Sequence, residues 1–306
     1  MTKLSDALEL YAKTITNGHG GLLDKSHFYD FRLNIFGQKM DQYFIDMFLK
    51  GDGNELSAKA CAVHSSSMLG YNFFHWVKEN PVSIHWKDGD VRYDNVMYEV
   101  KMRVLNGRSN PANMDIVLTN ENGDFLFIES KFTEYTNTKN KFEIAEAYQD
   151  KKRYLVEIDN CNQRWAQYIT SLLKKENNNA IDASMKGQYW EGVKQEISHM
   201  IALTNWMNGN GIGEDKTIMY KGGNVRFINL VFDPNRDFEE SGSFDNYTKR
   251  YDELYKDLKN RGLIPGNLFT GFMAYSQMWD LMKTQMKPDL RSYLWNHYMR
   301  YSNATE

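Results

Sequence analysis

The sequence contains little cysteine, little proline and no long hydrophobic run. Its two cysteines, Cys61 and Cys161, lie far apart and outside any CxxC pattern, which argues against a cysteine zinc site and against a disulfide framework. No apolar stretch approaches the roughly 20 residues needed to cross a bilayer. The Met1–Glu9 segment has the pattern of an amphipathic helix rather than the apolar centre of a secretory signal. We therefore expect a cytoplasmic protein without a membrane span.

An excess of basic residues is also lacking. The formal net charge is -3 and the isoelectric point is about 6.2, whereas a protein that grips duplex DNA through its phosphates normally carries a basic footprint. The negative net charge argues against nucleic-acid binding without excluding it. A protein with a local basic surface can still have a negative net charge, and a carboxylate-rich metal site makes the net charge more negative.

Apolar residues are plentiful, at 42% hydrophobic and 14% aromatic over 306 residues, so the chain can bury a large core. Helical periodicity dominates residues 1–80, and short strand-like runs follow between 82 and 131. Helical patterns return between 142 and 207. Phe227–Phe232 is a nearly continuous apolar run that fits a strand buried on both faces, and 246–301 is mostly helical. Since no repeat or low-complexity linker interrupts the chain, we expect one elaborated α/β domain.

Two compact strands on either side of Glu121–Gly123 carry the most specific signal. This tripeptide suits a three-residue hairpin loop, a type I turn followed by a left-handed glycine. In that register Ile116 pairs with Ile128, and Asp115 lies opposite Glu129 on the same face of the sheet. A two-residue turn would instead put Asp115 on the other face, unless a bulge corrected it.

The residue types on that face suit phosphodiester hydrolysis. Two carboxylates can hold Mg²⁺, or Mn²⁺ in its place, while the ion keeps several waters and binds substrate phosphate. The ion polarises a phosphoryl oxygen and makes bound water easier to deprotonate. Lys131 lies two residues beyond Glu129, so its side chain joins the acids, where it can orient water or stabilise developing charge. The alternative is a surface salt-bridge cluster, which contributes only modestly to stability.

Asp115, followed after a hairpin by Glu129-Ser130-Lys131, resembles the signature of the PD-(D/E)xK nuclease superfamily, in a largely uncharacterised bacterial branch that is restriction-endonuclease-like. The resemblance implies a three-layer α/β/α core with a four-stranded mixed central sheet. We expect that core over about residues 50–235, with helical additions at 1–49 and 244–306.

The resemblance also implies roles for single residues. Asp115, Glu129 and the backbone carbonyl of Ser130 would bind the metal, and Lys131 would assist the attacking water. Met114 stands before Asp115 where many members have proline, at a position that varies within the superfamily. The implied function is metal-dependent endonuclease cleavage of nucleic acid, with DNA as the expected partner. The alternative is a catalytically inactive nucleic-acid-binding or interaction module on the same fold.

Further acids are candidates for the same centre. Glu99 lies on the polar side of a strand that buries Tyr98 and Val100, and it is a candidate for a further catalytic carboxylate. A solvated strand glutamate is the competing interpretation. Glu55, near the start of a helix, is a weaker candidate because the helix dipole already explains an acid there.

Two other features are candidates for substrate contacts. Gln195 lies on the helix after the Glu-Ser-Lys strand and is a candidate for the active site, although Gln149 and Gln163 compete for that role. His64–Ser67 could contact phosphate through its hydroxyls, but a helix break with local side-chain hydrogen bonds is favoured. The sequence leaves oligomeric state and substrate specificity open.

Overall fold

The structure is a computed structural model that describes residues 3–16, 22–24, 26–50, 56–57, 59–107, 110–134, 144–177, 193–209 and 218–306. Its α-helices in this part of the chain are α1 Leu4–Ile15, α2 Gln42–Lys50, α3 Ser66–Phe74, α4 Cys161–Asn177, α5 Val193–Met207, α6 Ser241–Asn260, α7 Tyr275–Met282 and α8 Pro288–His297. Its β-strands are β1 Val82–Trp86, β2 Gly89–Tyr93, β3 Asn95–Met102, β4 Ala112–Thr119, β5 Phe125–Lys131, β6 Val225–Val231 and β7 Leu268–Ala274.

The strands form one hairpin and one central sheet. β1 and β2 pair antiparallel as a hairpin, with Trp86 opposite Gly89. The central sheet has the order β3-β4-β5-β6-β7. β3, β4 and β5 are antiparallel, whereas β5, β6 and β7 are parallel. The predicted mixed sheet is confirmed, but it has five strands rather than the four expected, because β7 adds to it beyond β6.

Helices cover both faces of the central sheet, because alternate side chains along a strand point to opposite faces. Ile128 packs into the core cluster formed with α1, α2, α3, α7 and α8, while Phe127 packs into the cluster formed with α4, α5 and α6. β6 is buried along its whole length, as its nearly continuous apolar run predicted. The α/β/α layers and the helices at both termini agree with the expected fold class.

Two segments differ from the helical patterns expected for them. Residues 246–301 contribute β7, an edge strand whose central Thr270 and Gly271 break the apolar alternation that would have revealed it. Between 146 and 160 the chain makes short 3-10 turns, and α4 begins only at Cys161. In the described part of the chain, no helix is both long and apolar enough to span a membrane.

Candidate metal centre

The hairpin between β4 and β5 sets the geometry of the site. Ile116 pairs with Ile128 and Thr119 with Phe125, the register of a three-residue loop. Gly123 has the left-handed φ of 81° that the loop requires. The side chain of Asn120 closes the loop by hydrogen bonds of 2.9 and 3.0 Å to Asp124. The predicted three-residue loop is confirmed, and the two-residue alternative is excluded. Asp115 and Glu129 are the next residues along the two strands after the Ile116–Ile128 pair.

A hydrogen bond fixes the Asp115 carboxylate at the end of this pairing. The backbone N–H of Ser130 donates to Oδ2 of Asp115 over 2.9 Å. The Ser130 hydroxyl lies on the opposite face, where it donates to the carbonyl of Ser66 at 3.0 Å and contacts the Tyr275 hydroxyl at 2.8 Å. Ser130 therefore ties the acid on β4 to the start of α3 and to α7.

Lys131 lies between two acceptors. Its Nζ donates to Oε1 of Glu129 at 2.5 Å and to Oε1 of Gln195 at 3.1 Å. Gln195 is thus the glutamine that α5 brings to the site, while Gln149 and Gln163 are exposed on other elements. The structure places Asp115, Glu129, Lys131 and Gln195 together; their catalytic roles stay predictions.

Two more side chains of α5 reach the site and were not predicted as members of it. His199 places Nε2 3.0 Å from the carbonyl oxygen of Asn113 and 3.7 Å from Oε2 of Glu129. Its spacing of four residues from Gln195, which puts both on one helix face, was the available signal. Glu196 is fully buried and accepts hydrogen bonds from Asn229 at 3.0 Å and Tyr255 at 2.5 Å. Local sequence offers no sign of Glu196, since its partners lie on β6 and α6.

Burial and like charge shift the pKa values of the acids upward. Burial, and then the neighbouring Glu129, raise the pKa of Asp115 to about 8. Burial also raises the pKa of Glu129. The pKa of Glu196 rises to about 8, again through burial first and Glu129 second. Carboxyls that resist ionisation together in this way favour a bound cation.

The two basic side chains differ in charge at neutral pH. Burial alone would lower the pKa of Lys131, but Glu129 and the other negative neighbours outweigh it and hold this pKa well above its usual range. Burial lowers the pKa of His199 to about 4, so its imidazole is neutral. The cluster therefore combines three acids, Asp115, Glu129 and Glu196, with a single ammonium group.

A hydrated divalent cation fits this cluster. In the described part of the chain, Oε2 of Glu129 is buried and has no hydrogen-bond partner. This oxygen is therefore available as a ligand for a cation. Among the described residues, no group of three or more His, Cys, Asp or Glu side chains is arranged to hold a metal ion as a protein cage. Mg²⁺ needs no such cage, because it commonly binds through one or two carboxylates and keeps its waters. The residues present therefore suit Mg²⁺ or Mn²⁺ better than a structural zinc ion.

Glu99 occupies an unusual position on the neighbouring strand. It falls between the pairs Tyr98–Ile116 and Val100–Met114, level with Asp115, and its φ of 52° lies in the left-handed region. At this residue β3 changes face: Tyr98 packs on the α3 side of the sheet, whereas Val100 packs on the α5 side. Glu99 is 8% exposed rather than solvated.

The side chain of Glu99 lines a cavity of about 870 Å³ beside α2 and the edge of β3. Its participation in the metal centre stays a prediction. Glu55 lies outside the residues that the structure describes. His64–Ser67 makes the local side-chain hydrogen bond expected of a helix break: Ser65 caps α3 by accepting a hydrogen bond from the Met68 N–H.

Comparison with known proteins gives one match. The profile of the family REase-ARP, described as restriction endonuclease associating with ARP, matches residues 31–299. No curated protein and no solved structure gives a significant match. The matched region includes both strands of the hairpin, α5 and β7, and the fold agrees with the restriction-endonuclease-like architecture expected from the hairpin residues. The chain therefore belongs to the REase-ARP family.

Proposed function

We propose that the protein is a Mg²⁺-dependent endonuclease that hydrolyses phosphodiester bonds in DNA. One observation carries the proposal: beside Asp115, the buried Glu129 pairs one oxygen with Lys131 and leaves the other without a hydrogen-bond partner. Family membership supports nuclease chemistry in general. Metal dependence and DNA as the substrate are our own inference.

Asp115, Glu129 and the carbonyl of Ser130 would hold the ion. When bound, Mg²⁺ would polarise a phosphoryl oxygen and lower the pKa of a coordinated water. Because its pKa is raised, Lys131 remains protonated and acts as a hydrogen-bond donor rather than as a base. Its ammonium would stabilise negative charge on the phosphorus oxygens in the transition state.

Gln195 and His199 would keep these groups in place. The Gln195 side-chain oxygen accepts a second hydrogen bond from Nζ of Lys131, at 3.1 Å. The neutral His199 donates from Nε2 to the Asn113 carbonyl, which anchors the start of β4 two residues before Asp115. Both contacts restrict side-chain motion, and small displacements of catalytic groups cost large factors in rate.

Plasmid cleavage in Mg²⁺ or Mn²⁺ tests the proposal. We expect Glu129→Gln to abolish cleavage and Lys131→Ala to reduce it at least about a hundredfold. Glu121→Gln, in the exposed loop of the same hairpin, serves as the matched control and should cleave like the wild type. Cleavage that persists in chelator, or that neither substitution at Glu129 or Lys131 reduces, would contradict the proposal.

The net charge of -3 favours a second candidate, a catalytically inactive nucleic-acid-binding or interaction module in which the Glu129–Lys131 ion pair is only structural. Titration with Mn²⁺ separates the two. A competent centre binds Mn²⁺ in the millimolar range or tighter and loses it in Asp115→Asn. Nucleic-acid binding without any Mn²⁺ binding would favour the inactive module.

A further inference from the structure

Two adjacent cavities, of about 300 and 320 Å³, lie along α4. Gln167 and Ser171 line both of them, so the cavities join into one groove, which we call the α4 groove. One half of the groove lies against the end of α6 at Arg261. The other half lies against the 3-10 turn that begins at Lys151.

The side chains that line the α4 groove carry positive charge. Arg164 and Arg261 line one half, and Lys151 lines the other. Among the described residues, no aspartate or glutamate lines either half. In a protein whose formal net charge is -3, such a local group of cations favours the approach of anions.

Arg164 is a charged group that lacks an acceptor. It is half-buried on α4, and in the described part of the chain its buried Nε has no hydrogen-bond partner. Its Nη1 lies beside the backbone of Gly262, where an added Cβ atom would come within 3.0 Å of it. Leaving a buried charged donor without an acceptor costs free energy, and an anion in the groove would remove this cost.

Arg261 is held at the same half of the groove by its neighbours. Its Nε donates to Asp257 over 2.7 Å, and its guanidinium lies 5.3 Å from the centroid of the Tyr168 ring. The side chain is 50% exposed, and guanidinium carries further N–H donors on its Nη atoms. The last carbonyls of α6 accept hydrogen bonds from the N–H groups of Gly262 and Leu263, which reduces their repulsion of an anion.

This set of donors suits the phosphates of a nucleic-acid backbone. Guanidinium and ammonium groups bind phosphate oxygens through charge-assisted hydrogen bonds. Cations in both halves of one groove match a chain of phosphates better than a single small anion. α4 also packs in the same helical layer as α5, which covers the face of the sheet that carries Glu129.

We propose that the α4 groove binds successive phosphates of a nucleic-acid strand, as a contact surface outside the metal centre. The inference rests on the proposed nuclease function and adds a binding surface to it. Arg164 and Lys151 contact phosphates in opposite halves of the groove. Because these contacts read no base, binding through the groove is independent of sequence and sensitive to salt.

Fluorescence anisotropy with a labelled duplex deoxyoligonucleotide, in chelator so that no cleavage occurs, tests the proposal. We expect Arg164→Gln to weaken binding about threefold or more and to reduce the slope of log K against log salt concentration by about 1. Lys151→Gln should do the same, and the double variant should reduce the slope by about 2. Thermal unfolding of each variant verifies that it is folded.

Arg291→Gln is the matched control. Arg291 is exposed on α8, in the helical layer on the other face of the sheet, and its substitution changes the net charge by the same amount. This variant should keep the wild-type slope. Slopes and affinities that are equal in Arg164→Gln, Lys151→Gln and Arg291→Gln would overturn the inference, as would a wild-type protein that binds no oligonucleotide.

A small phosphate ligand is the other source of the same chemistry, and thermal unfolding with inorganic phosphate distinguishes it. Stabilisation by phosphate that Arg164→Gln loses, with unchanged oligonucleotide binding, would overturn the nucleic-acid assignment of the groove. Failure of the nuclease proposal gives a different result. Binding that depends on Arg164 and Lys151 without cleavage in Mg²⁺ or Mn²⁺ would refute the nuclease and support the groove, whereas metal-dependent cleavage with binding indifferent to both would refute only the groove.

Discussion

Lys131 donates hydrogen bonds to both Glu129 and Gln195. Substitutions of Lys131 and Gln195 should therefore affect metal binding and the cleavage rate differently. Lys131→Ala frees the second oxygen of Glu129, so Mn²⁺ binding should persist or tighten while cleavage falls at least about a hundredfold. Gln195→Ala leaves the ammonium in place but less restrained, and we expect a smaller loss. Calorimetric Mn²⁺ titration and cleavage rates at saturating Mn²⁺ measure the two effects. Parallel losses of binding and rate in Lys131→Ala would show that the lysine is needed to assemble the site.

The raised pKa of Asp115 predicts how metal binding depends on pH. With this pKa near 8, Mn²⁺ must displace a proton, so its affinity should rise roughly tenfold per pH unit and level off above pH 8. The stability of the metal-free protein should change with pH in the opposite direction. A folded-state pKa above the usual 3.8 means that stability falls as pH rises from about 4 through 8. Mn²⁺ titrations across this pH range test the prediction, and a flat profile would contradict it.

Among the elements, the β4–β5 hairpin was the most predictable from sequence. The turn chemistry of Glu121–Gly123 and the alternation on either side fixed its register, and the register placed Asp115 level with Glu129. Long-range contacts set other features. β7 is a strand because it pairs with β6, which local sequence does not indicate. At Glu99 the side chains of β3 change face through a left-handed backbone conformation, and the alternating pattern of β3 does not reveal this change.

The loop of this hairpin packs against the segment before β6, and Gly223 makes the closest approach. A Cβ atom there would lie 2.1 Å from the carbonyl oxygen of Gly123, so the backbone must shift to admit alanine. We expect Gly223→Ala to lower the free energy of unfolding by about 2 kcal/mol, as in overpacked interiors. Gly242→Ala, in α6, is the control because no described atom lies within 4 Å of its added Cβ. Equal thermal unfolding of the two variants would contradict this contact.

At the scale of the whole molecule, the site joins distant parts of the chain. Glu129 and Lys131 come from the sheet, Gln195 and His199 from α5, and Glu196 is held by Asn229 and Tyr255 from β6 and α6. Sequence could predict the members on one hairpin and suggest Gln195 on the next helix. It could not predict Glu196, because burial of that acid depends on contacts of α5 with β6 and α6.

Because the metal centre is assembled from several elements of the fold, metal binding should affect the stability of the whole protein. The acids outnumber the ammonium in a buried cluster, so a divalent cation that binds only the folded state should stabilise it. At ten times the dissociation constant the gain is about 1.4 kcal/mol, enough to raise the melting temperature by a few degrees. Differential scanning fluorimetry with and without Mn²⁺ measures the shift. Asp115→Asn should abolish it, and an equal shift in that variant would place the ion elsewhere.

The most direct test of the metal centre is anomalous diffraction from crystals soaked in Mn²⁺. We predict a single strong peak within about 2.2 Å of carboxylate oxygens from both Asp115 and Glu129, with the Ser130 carbonyl as a further ligand. Nζ of Lys131 should remain within hydrogen-bonding reach of the site. No peak between the two carboxylates at saturating Mn²⁺, or a peak only at some other position, would contradict the central claim that these acids hold the catalytic ion.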